Sequence, residues 1–254
     1  LNQPVTITNN STGSIVSQTW NFGNGTTSNV PVPNLTYTST GNYNLSLTVT
    51  SADGCADTKT VNVTVNPLPV VNISNDTIIC PFTSIQLYSH GGVSYHWTPA
   101  TGLNNPNGSS PVATPAPPNP AVYTVVVTDA NQCSNTDSVR ISFFPIPHID
   151  AGLDTSVCLN PGNFHPSVQL NATGGVSYVW SPSTGLSSTT VSNPVATPAA
   201  NTTYFVLGTD ANNCKLTDSV SVFVLDPNLN VIVDATVDIC EQDTAHITVI
   251  NQGN

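Results

Sequence analysis

Six cysteines, Cys55, Cys80, Cys133, Cys158, Cys214 and Cys240, are the residues with the most chemistry to offer in this 254-residue chain. None stands in a Cys-x-x-Cys spacing, so neither a zinc ribbon nor a dithiol redox pair is encoded. Their even number and matched positions, in a chain without Met and with only Lys59, Arg140 and Lys215 as cations, fit an oxidising, extracellular setting in which cysteines bond to one another. The five histidines (His90, His96, His148, His165 and His246) fall at no metal-ligand spacing. His90 and His96 are the nearest pair, but Val179 takes the place of His96 in a related segment, which reads as surface decoration. There is no nucleophile elbow, HExxH, phosphate-cradling glycine loop or dinucleotide fingerprint, and no Asp or Glu pair is marked out as acid and base. We expect no enzyme active site and no bound cofactor.

Oxygen ligands are the remaining candidates, because thirteen of the fourteen acids are Asp and calcium favours clustered carboxylates and carbonyls. Asp150 and Asp154, beside a Pro-bearing joint, are the calcium candidates. The competing reading is turn chemistry, since Asp and Asn bond their own backbone. The same choice arises at Asp129-Ala-Asn131 and Asp210-Ala-Asn212, where a tight turn before a cysteine is the better reading.

These residues are set in strands. Tyr43-Asn-Leu-Ser-Leu-Thr-Val49, Ala121-Val-Tyr-Thr-Val-Val-Val127 and Thr203-Tyr-Phe-Val-Leu207 alternate or are β-branched and are bounded by Asn, Asp, Gly or Pro. No stretch sustains a 3.6-residue apolar period, so the fold class is all-β. Two segments also repeat each other in order. One carries Asp76-Thr-Ile-Ile-Cys80, Gly91-Gly-Val-Ser-Tyr95-His-Trp97, Pro111-Val-Ala-Thr-Pro115, Thr128-Asp-Ala-Asn-Gln-Cys133 and Asp137-Ser-Val139. The other carries Asp154-Thr-Ser-Val-Cys158, Gly174-Gly-Val-Ser-Tyr178-Val-Trp180, Pro194-Val-Ala-Thr-Pro198, Thr209-Asp-Ala-Asn-Asn-Cys214 and Asp218-Ser-Val220. A repeat of about 80 residues suits a small sandwich and is too long for a solenoid turn. Asn66-Pro-Leu-Pro69, Phe144-Pro-Ile-Pro-His148 and Leu225-Asp-Pro-Asn228 punctuate the chain as short, extended joints. The expected division is 1–66, 67–144, 145–225 and 226–254, the last being the start of a further, truncated repeat. The result is beads on a string.

Composition narrows the function. Charged residues are 7% of the chain and the net charge is −11, so no basic patch exists to meet nucleic acid. No apolar run approaches a membrane span, and no export signal opens the chain.

The first bead reads Trp20-Asn-Phe-Gly-Asn-Gly25, Gly41-Asn-Tyr43-Asn-Leu and Asp53-Gly-Cys55. It closely resembles the PKD domain, an Ig-like sandwich marked by Trp-Asp-Phe-Gly-Asp-Gly and Gly-x-Tyr-x-Val, with Asn21 and Asn24 standing where that family has Asp. Trp180-Ser-Pro-Ser-Thr-Gly185-Leu, Asn193-Pro-Val-Ala-Thr-Pro198 and Thr209-Asp-Ala-Asn212 are similar to Ig-like repeats of large Bacteroidetes cell-surface proteins, among them gliding-motility adhesins exported by type IX secretion. The resemblance implies tandem Ig-like and PKD-like sandwiches at the cell surface.

Trp20, Trp97 and Trp180 precede Cys55, Cys133 and Cys214 by 35, 36 and 34 residues, which puts the beads in register. Each tryptophan is expected in a core. The early cysteines suggest the pairs Cys80–Cys133 and Cys158–Cys214, each closing a loop worth ~4 kcal/mol. Cys55 and Cys240 are left unpaired. A window cut from a longer array explains this, with a Cys240-to-Cys55 bond between successive molecules as the alternative. Asp-Ser/Thr-apolar triplets resembling Bacteroidetes O-glycosylation sites place candidate glycans on Thr77, Ser138, Ser219 and Thr244. The expected role is a non-catalytic segment of an extracellular stalk or filament. Its expected partners are the neighbouring domains, copies of itself in a fibre and surface glycans. A glycan- or cell-binding adhesive module and a spacer in a large secreted hydrolase are the alternatives.

Overall fold

The computed structural model describes residues 4–158 and 167–225. Every regular element among them is a strand. The chain forms two compact units, Leu1–Ser142 and Phe143–Asn254. The first holds two hydrophobic cores and the second holds one.

The first sandwich uses β1 (Pro4–Val5), β2 (Ile15–Asn21), β3 (Thr27–Ser28), β4 (Leu35–Thr36), β5 (Gly41–Ser51) and β6 (Ala56–Val65). Its main sheet runs β3-β2-β5-β6, and β1 pairs with β4. The β5–β6 hairpin is an unbroken antiparallel ladder from Gly41↔Val65 to Thr50↔Ala56. Ile7, Trp20, Phe22, Leu35, Tyr37 and Leu45 make its core. Tyr37 stacks on Tyr43 at 4.1 Å between ring centroids and donates its hydroxyl to the Phe22 carbonyl at 2.9 Å.

The second sandwich comprises β7 (Asn72–Ile73), β8 (Thr77–Ile79), β9 (Ile85–Gln86), β10 (Ser89–His90), β11 (Ser94–Thr98), β12 (Val112–Ala113), β13 (Ala121–Thr128) and β14 (Ser134–Phe143). Its sheet runs β11-β13-β14-β8, with the pairs β7–β10 and β9–β12 completing it. Side chains alternate between faces at a period of two, so Tyr123, Val125 and Val127 are buried, while Val122 just before them is exposed and Thr124 and Val126 between them are only partly buried. They meet Leu87, Trp97, Ala113, Val139 and Ile141 in one core. Burying each such aliphatic side chain contributes roughly 1.5–3 kcal/mol, which offsets the entropy of ordering short strands.

In the second unit, β15 (Thr155–Cys158), β16 (Val168–Gln169), β17 (Ser177–Ser181), β18 (Val195–Ala196), β19 (Thr202–Thr209) and β20 (Lys215–Leu225) repeat that plan. The sheet runs β15-β20-β19-β17, and β16 pairs with β18. Its neighbours are antiparallel except that β15 runs parallel to β20, from Thr155↔Val222 to Cys158↔Leu225. Trp180, Tyr204, Val206, Val220 and Val222 centre the core. The architecture is therefore all-β, in tandem sandwiches. In the first sandwich the last strand, β6, is a sheet edge, whereas β14 and β20 are flanked by β8 and β15.

Candidate functional site

The last hairpin of each sandwich turns in the same way. Asp129 N–H donates to the Cys133 carbonyl at 2.9 Å, and Asp210 N–H to the Cys214 carbonyl at 2.9 Å. The Asp129 carboxylate accepts from Asn131 N–H and Cys133 N–H at 2.8 and 2.9 Å, and that of Asp210 from Asn212 and Cys214 N–H at 2.8 Å. Gln132 and Asn213 take left-handed φ of 67° and 62° to close the turn. In the first sandwich Ser51 N–H donates to the Cys55 carbonyl, and Gly54 supplies the left-handed residue at φ 80°. The sequence reading of Asp129 and Asp210 as turn residues describes what their carboxylates do.

The chain enters each repeat beside this hairpin. Asn135, two residues past Cys133, donates its amide to the Pro69 carbonyl at 3.0 Å. Gly91 lies so close to the entering strand that a Cβ on it would come within 1.9 Å of the Val70 carbonyl oxygen. In the second unit the corresponding Gly174 would meet the His148 carbonyl oxygen at 1.7 Å. Val93 and Val176 donate to the carbonyls of Thr128 and Thr209, immediately before the hairpins, at 2.8 and 2.7 Å. Entry segment, double glycine and hairpin cysteine thus share one end of the sandwich.

The early cysteines lie at the other end. Cys158 is opposite Leu225, the last residue of β20, whereas Cys214 directly precedes that strand. Eleven residues of extended chain separate those two levels, about 36 Å at 3.3 Å per residue. A disulfide needs Cα atoms within about 7 Å. In the second sandwich Asp76 accepts from Arg140 N–H at 2.8 Å, as Asp154 accepts from Ser221 N–H at 2.7 Å. This anchors β8 along β14 well away from Cys133. Cys133 and Cys158 accordingly carry free thiols, as does exposed Cys55, while Cys80 and Cys214 are disulfide-bonded. The expected pairs Cys80–Cys133 and Cys158–Cys214 do not form. Their spacing matched a cross-sandwich bond, but in the third sandwich the parallel pairing of β15 carries Cys158 to the wrong end. Cys240 lies outside the described residues.

The tryptophans occupy cores, at 5%, 0% and 2% exposure for Trp20, Trp97 and Trp180. Trp97 and Trp180 donate their indole N–H to the carbonyls of Gly108 and Val191 at 3.0 and 2.9 Å. Among the described residues the Trp20 indole nitrogen, equally buried, has no hydrogen-bond partner, and neither has the hydroxyl of Ser89. Tyr123 and Tyr204 donate to the carbonyls of Thr101 and Thr184 at 3.1 and 3.0 Å, and burial raises both phenols above the usual 10.0. Burial, with Tyr43 alongside, does the same to Tyr37. These tyrosine anchors were not read from the sequence, although the tyrosines repeat at one register position.

Asp150 and Asp154 are both exposed and spend an oxygen on backbone, Asp150 on Gly152 N–H at 2.8 Å and Asp154 on Ser221 N–H. No group of three or more His, Cys, Asp or Glu side chains suited to a metal occurs among the described residues. His96 shares a hydrogen bond with Asn107 at 2.9 Å, and His90 is exposed on β10. Ser138 and Ser219 are exposed on β14 and β20, and Thr77 is half-buried on β8. Thr244 lies outside the described residues. A shallow groove on the first sandwich is lined by residues 15–19, Asn29 and Pro31, none of them aromatic. No helix among the described residues is long and apolar enough to cross a membrane.

Residues 1–65 match the PKD domain family. A pre-pro-metalloprotease of Vibrio cholerae is 48% identical over 62 residues, 23% of this chain and 7% of that protein, so the chain spans only a small part of the curated relative it matches. Among solved structures, the chain is similar to the insect immune protein hemolin (TM-score 0.32, 13% identity, 72% of this chain and 56% of that one). Mouse cadherin-23 repeats EC22–24 are similar at TM-score 0.28 and 11% identity, over 77% of this chain and 78% of that one.

Proposed function

We propose that this chain is a non-catalytic structural segment of an extracellular bacterial stalk or filament, an adhesin-type array that projects or links other domains. One observation carries the proposal: in the third sandwich the chain enters at the hairpin end, while the last strand finishes at the opposite end beside Cys158, so entry and exit lie at opposite ends of the domain. The bead limits 1–66, 67–144, 145–225 and 226–254 belong to the same proposal, as do the extracellular location and neighbouring beads, or further copies, as partners. The phrases shared with Bacteroidetes surface repeats extend it to a gliding-type adhesin exported by type IX secretion. Glycans on Ser138 and Ser219 would hydrate a surface that has few charges.

Small-angle scattering tests the extended path. An extended stalk predicts a radius of gyration well above that of a compact globule. A compact globule of this length would have about 18 Å. A value near the compact figure would refute the rod. The similarity of residues 1–65 to a stretch of a metalloprotease supports a second reading, a spacer within a large secreted hydrolase. A catalytic domain encoded in the same reading frame would decide for it.

A further inference from the structure

We propose that this chain pairs with a second copy of itself along the outer edge of β2, strand to strand and antiparallel around a two-fold axis. The inference deepens the reading of further copies as partners and rests on it. β3 is two residues long and pairs with β2 only at Trp20 and Asn21. Ile15–Thr19 therefore have β5 on one side and, among the described residues, no strand on the other. Phe22 N–H donates to the Thr26 carbonyl on the β3 side at 3.1 Å, and at a period of two the backbone groups of Gln18 face the same way. Side-chain bonds take the place of a ladder there. The Thr19 hydroxyl donates to the Asn29 side-chain oxygen at 2.9 Å, and the Gln18 amide reaches the Asn29 carbonyl at 3.5 Å. The shallow groove lined by residues 15–19, Asn29 and Pro31 lies along this open edge.

The other two sandwiches close the same edge. In them Trp97 and Trp180 donate their backbone N–H to the carbonyls of Pro106 and Thr189 at 2.7 and 2.8 Å. Their indoles donate to Gly108 and Val191, each eleven residues beyond its tryptophan. The residue eleven beyond Trp20 is Pro31, a groove residue, and the Trp20 indole has no partner among the described residues. The segment that covers the edge in those sandwiches stands off it in the first.

Charge selects the occupant. An exposed sheet edge is ordinarily guarded by charged side chains. β6, at the far edge of the same sheet, carries exposed Asp57 and Lys59. The β2 edge has no such guard: no residue from 1 to 52 is Asp, Glu, Lys, Arg or His. Val16, the extra residue of a bulge against β5, is more than half exposed, as are Val30 and Val32 on either side of Pro31. A molecule of net charge −11 repels its own copies, and this uncharged edge lets two of them meet without like charges opposed. Two identical antiparallel strands are self-complementary, so one edge serves both partners.

The test is sedimentation equilibrium of the full chain, with its accessible thiols alkylated so that no disulfide links copies. The average mass is expected to rise with concentration from that of one chain toward twofold, and exchange of the Gln18 amide to slow in step. Val16→Lys sets a lysine in each copy against the other's edge and should hold the mass at one chain, with the urea midpoint unchanged. Val93→Lys, the same change of charge at an exposed site of the second sandwich, should leave the twofold rise intact. A parent chain that stays at the mass of one chain would overturn the proposal, and so would a Val16→Lys chain that still doubles. Protection of Gln18 by a synthetic peptide of residues 15–21, in a chain that does not self-associate, would show that the edge takes a foreign strand and not a copy. None of these outcomes touches the extended path, which scattering at high dilution reads separately.

Discussion

Gly174 is where the entry segment of the third sandwich is most exposed to a single added methyl group. Its φ is +84°, and a Cβ would lie 1.7 Å from the His148 carbonyl oxygen and 2.8 Å from the carbonyl carbon, both backbone atoms that no rotamer change can move aside. Gly174→Ala therefore costs more than left-handed strain, which is about 1–2 kcal/mol. Displacing the His148–Asp150 backbone breaks the reciprocal bonds Asp150 N–H to Thr173 C=O at 3.3 Å and Thr173 N–H to Asp150 C=O at 2.9 Å, worth about 1 kcal/mol each. It also lifts the buried Ile149 from the core, at a further ~2 kcal/mol. The total is about 5 kcal/mol. Gly152→Ala in the same unit is the control: its φ is +87°, but a Cβ there would meet only the Asn171 carbonyl oxygen, at an ordinary 3.6 Å, so only about 1–2 kcal/mol of strain applies. Urea unfolding followed by Trp180 fluorescence, in a Trp20→Phe, Trp97→Phe background, isolates the third sandwich. If Gly174→Ala loses no more than about 1 kcal/mol beyond Gly152→Ala, the entry segment is not clamped and the reasoning fails.

Ser89→Ala should stabilise the second sandwich by about 1 kcal/mol, since it removes a fully buried hydroxyl without a partner and leaves the packing nearly unchanged. A higher urea midpoint at unchanged m would show it, and a lower midpoint would mean that the hydroxyl has an unrecognised partner. At alkaline pH the sandwiches should weaken. Tyr37, Tyr123 and Tyr204 are neutral, hydrogen-bonded phenols whose folded pKa lies above 10.0. Their contribution is complete below the unfolded value and is lost as pH rises through the raised folded value. Melting temperatures measured by circular dichroism should hold from pH 8 to about 10 and fall beyond it, less steeply in Tyr204→Phe; a melting temperature that does not move above pH 10 would contradict this.

Much of the fold was open to sequence reading because it is written in short-range pattern. Tyr123, Val125 and Val127 alternate with Val122, Thr124 and Val126, and that period places one set in a core without knowledge of the partner strand. The three tryptophans occur at one register position and are buried for the same reason. The turn role of Asp129 and Asp210 was equally accessible, because an Asx turn closes within its own few residues. Contacts made at long range were not accessible. The Asp76 and Asp154 carboxylates cap backbone N–H groups sixty-four and sixty-seven residues away. Those caps set the level of the early strand, and nothing local in Asp-Thr-x-x-Cys announces them. The double glycines at 91–92 and 174–175 stood out as repeats, but their purpose, close approach to an entering backbone, needs the position of that backbone.

The cysteines show why spacing misled. Separations near fifty residues suit a bond across a sandwich, and loop-entropy arguments favour such a bond. Neither consideration carries a strand direction. An antiparallel early strand would return its cysteine toward the hairpin, whereas a parallel one sends it the length of the sheet to the opposite end, as β15 does along β20. Without a bond between its own two cysteines, the third sandwich is held by its backbone ladders, such as β19–β20, and by the core that they bury, as β13–β14 and its core hold the second.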